Sequence, residues 1–269
     1  MKRANLFEFE DQRWFPNWIR ECLTRLLVVF NRFVDLPYTL ALLITKVNEK
    51  HRVTHITDLG SGAGGAMPDA QEILHKESGM PKVKLTLTDL FPNQDAIRFY
   101  NSKKVRGVSY DPEPLSATSF ADRSKGMKTM INCFHHMKPC VAKEILLEAQ
   151  KSKEPFLIYE LVENKIPLLL WWILLPVSLL IVFIMSLIIT PFVKPMKWYQ
   201  LVFTYLIPII PIFYAWDGQA SMPRIYAFKD IEEMLEEIKT PDYQWEMGHA
   251  LNRKGKKSGI YIIGIPTES

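Results

Sequence analysis

His55-Ile-Thr-Asp-Leu-Gly-Ser-Gly-Ala-Gly-Gly65 is the stretch on which the fold of this chain turns. An apolar run, Val53–Leu59, reads as a strand and empties into glycines. A helix, Met67–Glu77, is expected just beyond. Glycines suit such a place because the backbone turns tightly and a ligand can approach without a Cβ in the way. The helix that follows offers free N–H groups at its start to a polar ligand.

Outward from this loop the texture is regular. Val83–Leu87, Arg106–Tyr110, Lys128–Cys133 and Pro155–Glu160 read as strands. Asn93–Asn101 and Cys140–Ser152 read as helices, and Ser116–Arg123 as a short helix or turn. Strands alternating with helices imply a parallel sheet covered on both faces. The same texture returns near the end, with a charged helix Lys229–Lys239, strands Tyr243–Gly248 and Ser258–Ile265, and a basic loop Asn252–Lys257 between the strands.

Two ligand classes use such a loop. Gly60-x-Gly62-x-x-Gly65 fits the dinucleotide fingerprint. Asp58-x-Gly60-x-Gly62-x-Gly64 fits the first motif of class I methyltransferases. The glycines alone leave both open. Asp58 favours the second, because an acidic group there can neutralise a methionine ammonium. Asp89 ends the second strand of the series, in Leu85-Thr-Leu-Thr-Asp89-Leu90. Its two carboxylate oxygens match two vicinal ribose hydroxyls, a group both ligand classes carry.

A third run, Met130-Ile-Asn-Cys-Phe-His-His-Met-Lys-Pro139, leads an apolar strand into paired histidines and a proline. With Asp58, the glycine loop and Asp89, it makes the chain from about residue 50 onward resemble the class I S-adenosylmethionine-dependent methyltransferases, of the small-molecule or lipid type. Phe156-Leu-Ile-Tyr-Glu160 resembles that family's fifth strand, and the last two strands its closing hairpin. The resemblance implies an α/β, Rossmann-like fold: a seven-stranded, mostly parallel sheet with an antiparallel last strand. It implies S-adenosyl-L-methionine as cofactor, held by Asp58, Gly60, Ser61, Gly62, Gly64, Asp89 and Leu90, with Asn132 and Phe134 near the sulfonium. Adenine contacts fall to Asp111 or Ser116-Ala117, although Pro112 and Pro114 depart from the family pattern. His135, His136 and Glu160 are the candidate catalytic groups, since a histidine base suits a hydroxyl acceptor.

Between residues 166 and 216 the soluble texture is interrupted. Leu168–Thr190 is 23 residues without a charge, and Trp198–Trp216 a further 19, with Lys194 and Lys197 between them. The first passes the length test for a bilayer helix. Trp171, Trp172, Trp198, Tyr199, Tyr214 and Trp216 sit near the ends, as interfacial aromatics do. Pro208 and Pro211 should kink or break the second. The sheet needs strands from both sides of the insertion, so the insertion must enter and return on one side. A two-pass hairpin would put Lys194 and Lys197 on the far side, against the positive-inside tendency; a shallow dip would not.

The expected organisation is an N-terminal helical cap over 1–50, a methyltransferase domain over 51–165 and 217–269, and a membrane-associated apolar hairpin over 166–216. The cap reads as helix from residue 12, with Trp18, Cys22, Leu26 and Phe30 at helical spacing, a break at Pro37 and a second helix Tyr38–Val47. Trp14, Asp217, Ser221 and Arg224 are candidate acceptor contacts, the last three around an Asp217-Gly218 turn. The N-terminal sequence has no apolar run of the secretory kind. Cys22, Cys133 and Cys140 are scattered, odd in number and read as reduced thiols, with no zinc spacing and no metal expected. A formal charge of +4 is too mild to call for nucleic acid. The expected partners are an apolar or lipid-like acceptor, a membrane and a second copy of the chain, with the catalytic domain in the cytoplasm. The competing readings are a dinucleotide-dependent oxidoreductase and a non-catalytic membrane adaptor.

Overall fold

The computed structural model describes residues 3–267. The helices are α1 (Asn17–Phe33), α2 (Leu36–Lys50), α3 (Met67–Lys76), α4 (Gln94–Phe99), α5 (Pro139–Ser152), α6 (Leu168–Ile189), α7 (Trp198–Leu201), α8 (Ile209–Ala220) and α9 (Phe228–Glu237). The strands are β1 (His55–Leu59), β2 (Lys84–Thr88), β3 (Val108–Tyr110), β4 (Met127–Ile131), β5 (Phe156–Glu160), β6 (Tyr243–Leu251) and β7 (Lys257–Pro266). They form two compact units, a sheet unit of Asp35–Val162 with Phe228–Ser269 and an apolar unit of Met1–Val34 with Glu163–Ala227.

The sheet unit holds one seven-stranded sheet in the order β3-β2-β1-β4-β5-β7-β6. β1 to β5 pair in parallel, and β7 runs antiparallel to both β5 and β6. Strands buried on both faces should be continuously apolar, and β5, Phe156-Leu-Ile-Tyr-Glu160, is buried at every position. The expected seven-stranded architecture is thus present, with the switch in strand order beside β1 and β4. Ligands of open α/β sheets gather at such a switch, outside the carboxyl ends of the strands.

The second N-terminal helix is longer than Tyr38–Val47. Pro37 does not end a helix but sits in the first turn of α2, where its missing N–H costs nothing. The break lies two residues earlier, at Asp35, whose φ of 57° is left-handed. α2 buries Leu36, Leu40, Ile44 and Val47 within the sheet unit, against α3 and β7. Each such side chain contributes about 1.5–3 kcal/mol. The expected cap is therefore divided, with α1 in the apolar unit and α2 in the sheet unit.

The apolar unit is built on α6, 22 residues long with Pro176 inside it. The second uncharged stretch is broken, as its prolines require. Trp198–Leu206 and Ile209–Arg224 meet at 81°. Asp217-Gly218 is not a turn after that stretch; it lies inside α8, which continues to Ala220. Phe15, Ile19, Cys22, Leu23, Leu26 and Val29 of α1 and its approach form a core with Ile189, Val193 and Ile210. Of the described residues, one helix, Leu168–Phe192, is long and apolar enough to cross a membrane, and up to three spans exist if bent pairs are counted.

Candidate functional site

The glycine loop leaves β1 with Gly60, Gly62, Gly64 and Gly65 all at positive φ, from 53° to 113°. A side chain strains such backbone, which is why the sequence concentrates glycine there. At Gly64 the space is also taken, because a Cβ would run into the ring and hydroxyl of Tyr100. At Gly65 a Cβ would meet nothing within 4 Å, so this side of the loop is open.

Asp89 closes the loop. Its Oδ2 accepts the Gly62 N–H at 2.8 Å and its Oδ1 the Phe91 N–H at 2.9 Å. Burial raises its carboxyl above the ordinary aspartate range, and those two backbone donors oppose the rise. Leu90, beside it, is half exposed. The Tyr110 hydroxyl donates to the Gly62 carbonyl at 2.9 Å, fixing the loop from β3.

Asp58 lies beneath the loop and is buried. Ser61 Oγ donates to its Oδ2 at 2.7 Å and Thr129 Oγ1 to its Oδ1 at 2.6 Å. These bonds tie β1, β4 and the first turn of the loop together. Burial pushes the Asp58 carboxyl up to about 7 despite both hydroxyls. Thr129 gave no signal in the sequence. Only the register, which sets Asp58 beside Thr129 across the β1–β4 pair, reveals it.

The paired-histidine run turns as expected. β4 ends at Ile131, Asn132 takes a left-handed φ of 54°, and Phe134–His136 make one 3₁₀ turn. Asn132 Oδ1 accepts the Leu161 N–H at 2.8 Å, joining the ends of β4 and β5. Phe134 is wholly buried and packs as core. Cys133 lies under Gly60, and burial holds its thiol well above the usual range, so it is no nucleophile at neutral pH.

His135 and Glu160 form a tightly built acid–base pair at this edge. His135 is buried, and its Nδ1 stands 2.8 Å from Glu160 Oε2. The His135 backbone N–H donates to Glu160 Oε1 at 2.9 Å. A carboxylate only accepts, so Nδ1 carries the proton, and the lone pair of the neutral ring is on Nε2. That is the arrangement of an oriented general base. His136 stacks beside it with ring centroids 4.2 Å apart. Asp111 Oδ1 accepts the Glu113 N–H in a local turn, and Ser116 Oγ bonds to Thr118.

Trp14, Asp217, Ser221 and Arg224 belong to the apolar unit. Asp217 accepts the N–H groups of Phe9 and Glu10, at 2.8 and 3.0 Å. Ser221 Oγ donates to Glu8. The buried Arg224 pairs with Glu8 at 2.9 Å and Asp11 at 2.7 Å, rather than with Asp217. Together they strap the N-terminal segment across the end of α8. Trp14 stands exposed on that strap.

No family model matches the sequence, and no curated protein matches it. Solved structures do resemble it in fold. The plantazolicin methyltransferase BpumL in complex with SAH superposes with a TM-score of 0.57 at 13% identity, over 96% of this chain and 93% of that one. BpumL with a triazolic desmethylPZN analog and SAH gives 0.52 at 11% identity, over 94% and 99%. The methyltransferase BamL with the same analog and SAH gives 0.51 at 10% identity, again over 94% and 99%. Strand order, antiparallel β7 and these superpositions agree: the chain has the class I S-adenosylmethionine-dependent methyltransferase fold.

Proposed function

We propose that this chain transfers the methyl group of S-adenosylmethionine to an apolar or lipid-like acceptor at a membrane surface. The observation that carries the reading is the Asp89 bridge to Gly62, made across four positive-φ glycines at the switch in strand order. The residues present fit the cofactor. The loop is open at Gly65, and a carboxylate has about four acceptor positions, so Asp89 keeps capacity toward a vicinal diol. Asp58 supplies a buried acidic group with no basic partner among its charged influences, and an incoming ammonium would satisfy it. Gly60, Ser61, Gly62, Gly64 and Leu90 complete the binding loop.

The cofactor brings an activated methyl, so the protein's task is to align, desolvate and remove a proton. Glu160 orients the His135 ring, and His135 Nε2 takes the proton from an acceptor hydroxyl or amine. Asn132 holds the β4 and β5 ends at the distance this pair requires. Within the apolar unit, Asp217, Ser221 and Arg224 hold the strap on which Trp14 stands exposed.

Support for the membrane comes from α6. Leu169, Ile173, Val177, Leu180, Ile184 and Ile188 are all exposed and recur at three- and four-residue steps along its length. An apolar face of this extent is not left to water.

The test is calorimetric titration of S-adenosylhomocysteine and NADH into the detergent-purified protein. Micromolar binding of the first is expected, weakened at least about 100-fold by Asp89→Ala. Binding of NADH alone would establish the oxidoreductase reading, against which the antiparallel β7 already argues, since the dinucleotide fold continues in parallel. Glu160→Gln should lower turnover about 10- to 100-fold at unchanged S-adenosylhomocysteine affinity. Cofactor binding with no turnover on any membrane extract would leave the adaptor reading.

A further inference from the structure

We infer that the apolar unit is monotopic, with α6 lying in the plane of one bilayer leaflet instead of crossing it. The inference rests on the membrane reading above and deepens it by fixing which surface of the lipid is met. Length alone points the other way. At 1.5 Å per residue the 22 residues of α6 reach roughly 33 Å, enough for the hydrocarbon core.

The packing of α1 decides against a crossing. In a two-pass hairpin the end of α6 and the Lys194–Lys197 connection would lie on the far side. Yet it is this end that α1 covers. Ile189 and Val193 are buried in one core with Leu23, Leu26 and Val29, and the ring of Phe33 lies 5.4 Å from that of Phe192. α1 is joined to α2 through Val34 and Asp35 alone. α2 belongs to the sheet unit, where it buries its apolar face and where Lys46 bonds the Tyr261 hydroxyl at 2.9 Å. Two extended residues span at most about 7 Å, far short of a hydrocarbon core of about 30 Å. The C-terminal end of α6 is therefore held on the side where α2 begins. Its N-terminal end is held there too, because seven residues separate Leu168 from the end of β5.

Charge agrees with this placement. No acidic residue occurs between Glu163 and Asp217, while Lys165, Lys194 and Lys197 flank α6 at both ends. A crossing would carry two of these cations away from the side that basic residues prefer. An in-plane helix lets all three meet the phosphates of one leaflet, while the exposed Leu and Ile side chains enter its acyl region. The bend between Trp198–Leu206 and Ile209–Arg224 fits the same plane, since neither limb is long enough to return across a bilayer by itself. The occupant is thus the near leaflet of a bilayer rich in anionic lipid.

The experiment is thiol labelling of the full-length Lys194→Cys protein in sealed vesicles with the sheet unit outward. The probe is a membrane-impermeant maleimide carrying a polyethylene glycol chain. Native Cys140, exposed on the sheet unit, reports that side. A Cys140→Ser background isolates residue 194. We expect position 194 to be shifted on a gel without detergent, to at least about half the extent seen for Cys140. Protection until detergent is added would overturn the monotopic seating and leave the membrane reading intact. Failure to pellet with vesicles in 0.5 M salt, an arbitrary stringent wash, would overturn the membrane reading itself. Trypsin cleavage after Lys197, which precedes Trp198, in the same vesicles checks the answer without a substitution.

Discussion

Two helices of this protein put leucine and isoleucine to opposite uses. α5 buries Ala142, Ile145, Leu146 and Ala149 on one face and turns lysine and glutamate outward. α6 is apolar all round and buries only Trp171, Leu175, Ser186 and Ile189. In the sheet unit, then, apolar side chains exist to be covered by the chain itself. On α6 most are left uncovered by the chain. A helix of the first kind contributes stability, and one of the second kind an exposed apolar surface.

The contrast is broken most severely by placing charges on α6. Ile173→Glu, Val177→Glu and Ile181→Glu together should abolish co-sedimentation with anionic vesicles. Each acidic group carried into hydrocarbon costs roughly 2.5–3.5 kcal/mol, so three exceed any plausible surplus of binding energy. S-Adenosylhomocysteine affinity, measured on the same triple variant, should stay within about two-fold of the parent. A parallel loss of both would show that the sheet unit depends on α6 for its own fold.

A gentler pair of truncations sharpens the comparison. Leu146→Ala removes a fully buried side chain, and the cavity should destabilise the sheet unit by about 2–5 kcal/mol in denaturant unfolding followed by fluorescence. Leu180→Ala removes one that is 58% exposed, and should change that transition by less than about 0.5 kcal/mol. Its effect belongs instead to the vesicle titration, where loss of about three methylene equivalents, at about 0.8 kcal/mol each when fully transferred, should weaken binding roughly 10- to 60-fold. Equal effects in the unfolding experiment would mean that α6 is a covered core helix in the folded protein.

The two regions were also unequally legible in the sequence. The sheet unit could be read nearly to its strand ends, because alternation of β-branched runs with amphipathic helices is a local signal, and the glycines announce their own backbone. Asp89 and the paired histidines followed from position at strand ends. What escaped were partners fixed by register and by turns of the chain. Thr129 meets Asp58 only because β1 and β4 pair as they do. Tyr100 and Tyr110 reach the glycine loop from elements whose placement no spacing reveals. In the apolar unit the helices were visible but their grouping was not. α1 and α2 read as one cap because only two residues separate them. The left-handed Asp35 ends the first, and the two helices then bury their faces in different cores. Likewise, Asp217-Gly218 looks like a turn from composition, yet the two residues are carried inside α8, where Asp217 caps the N–H groups of a distant segment.

Asp58 is where the sheet unit departs from its own rule by burying a carboxylate. Its pKa in the folded state is about 7 against 3.8 for an ordinary aspartate, with burial the leading cause. The folded state thus binds the proton more tightly than the unfolded one. Between about pH 4 and pH 7 the unfolded chain loses that proton first, so stability falls as pH rises and the penalty is complete above pH 7. Asp58→Asn removes the charge and should raise stability at pH 8 by about 2 kcal/mol, less than the full linkage value because an amide nitrogen cannot accept, so one of the Ser61 and Thr129 hydroxyls loses its acceptor. Near pH 4 the gain should vanish. The same substitution should weaken S-adenosylhomocysteine binding at pH 8, because the ligand's ammonium loses its counter-charge. A pH-independent gain in Tm would mean that Asp58 is ionised throughout. A gain with undiminished ligand affinity would mean that its carboxylate serves only to join β1, β4 and the loop.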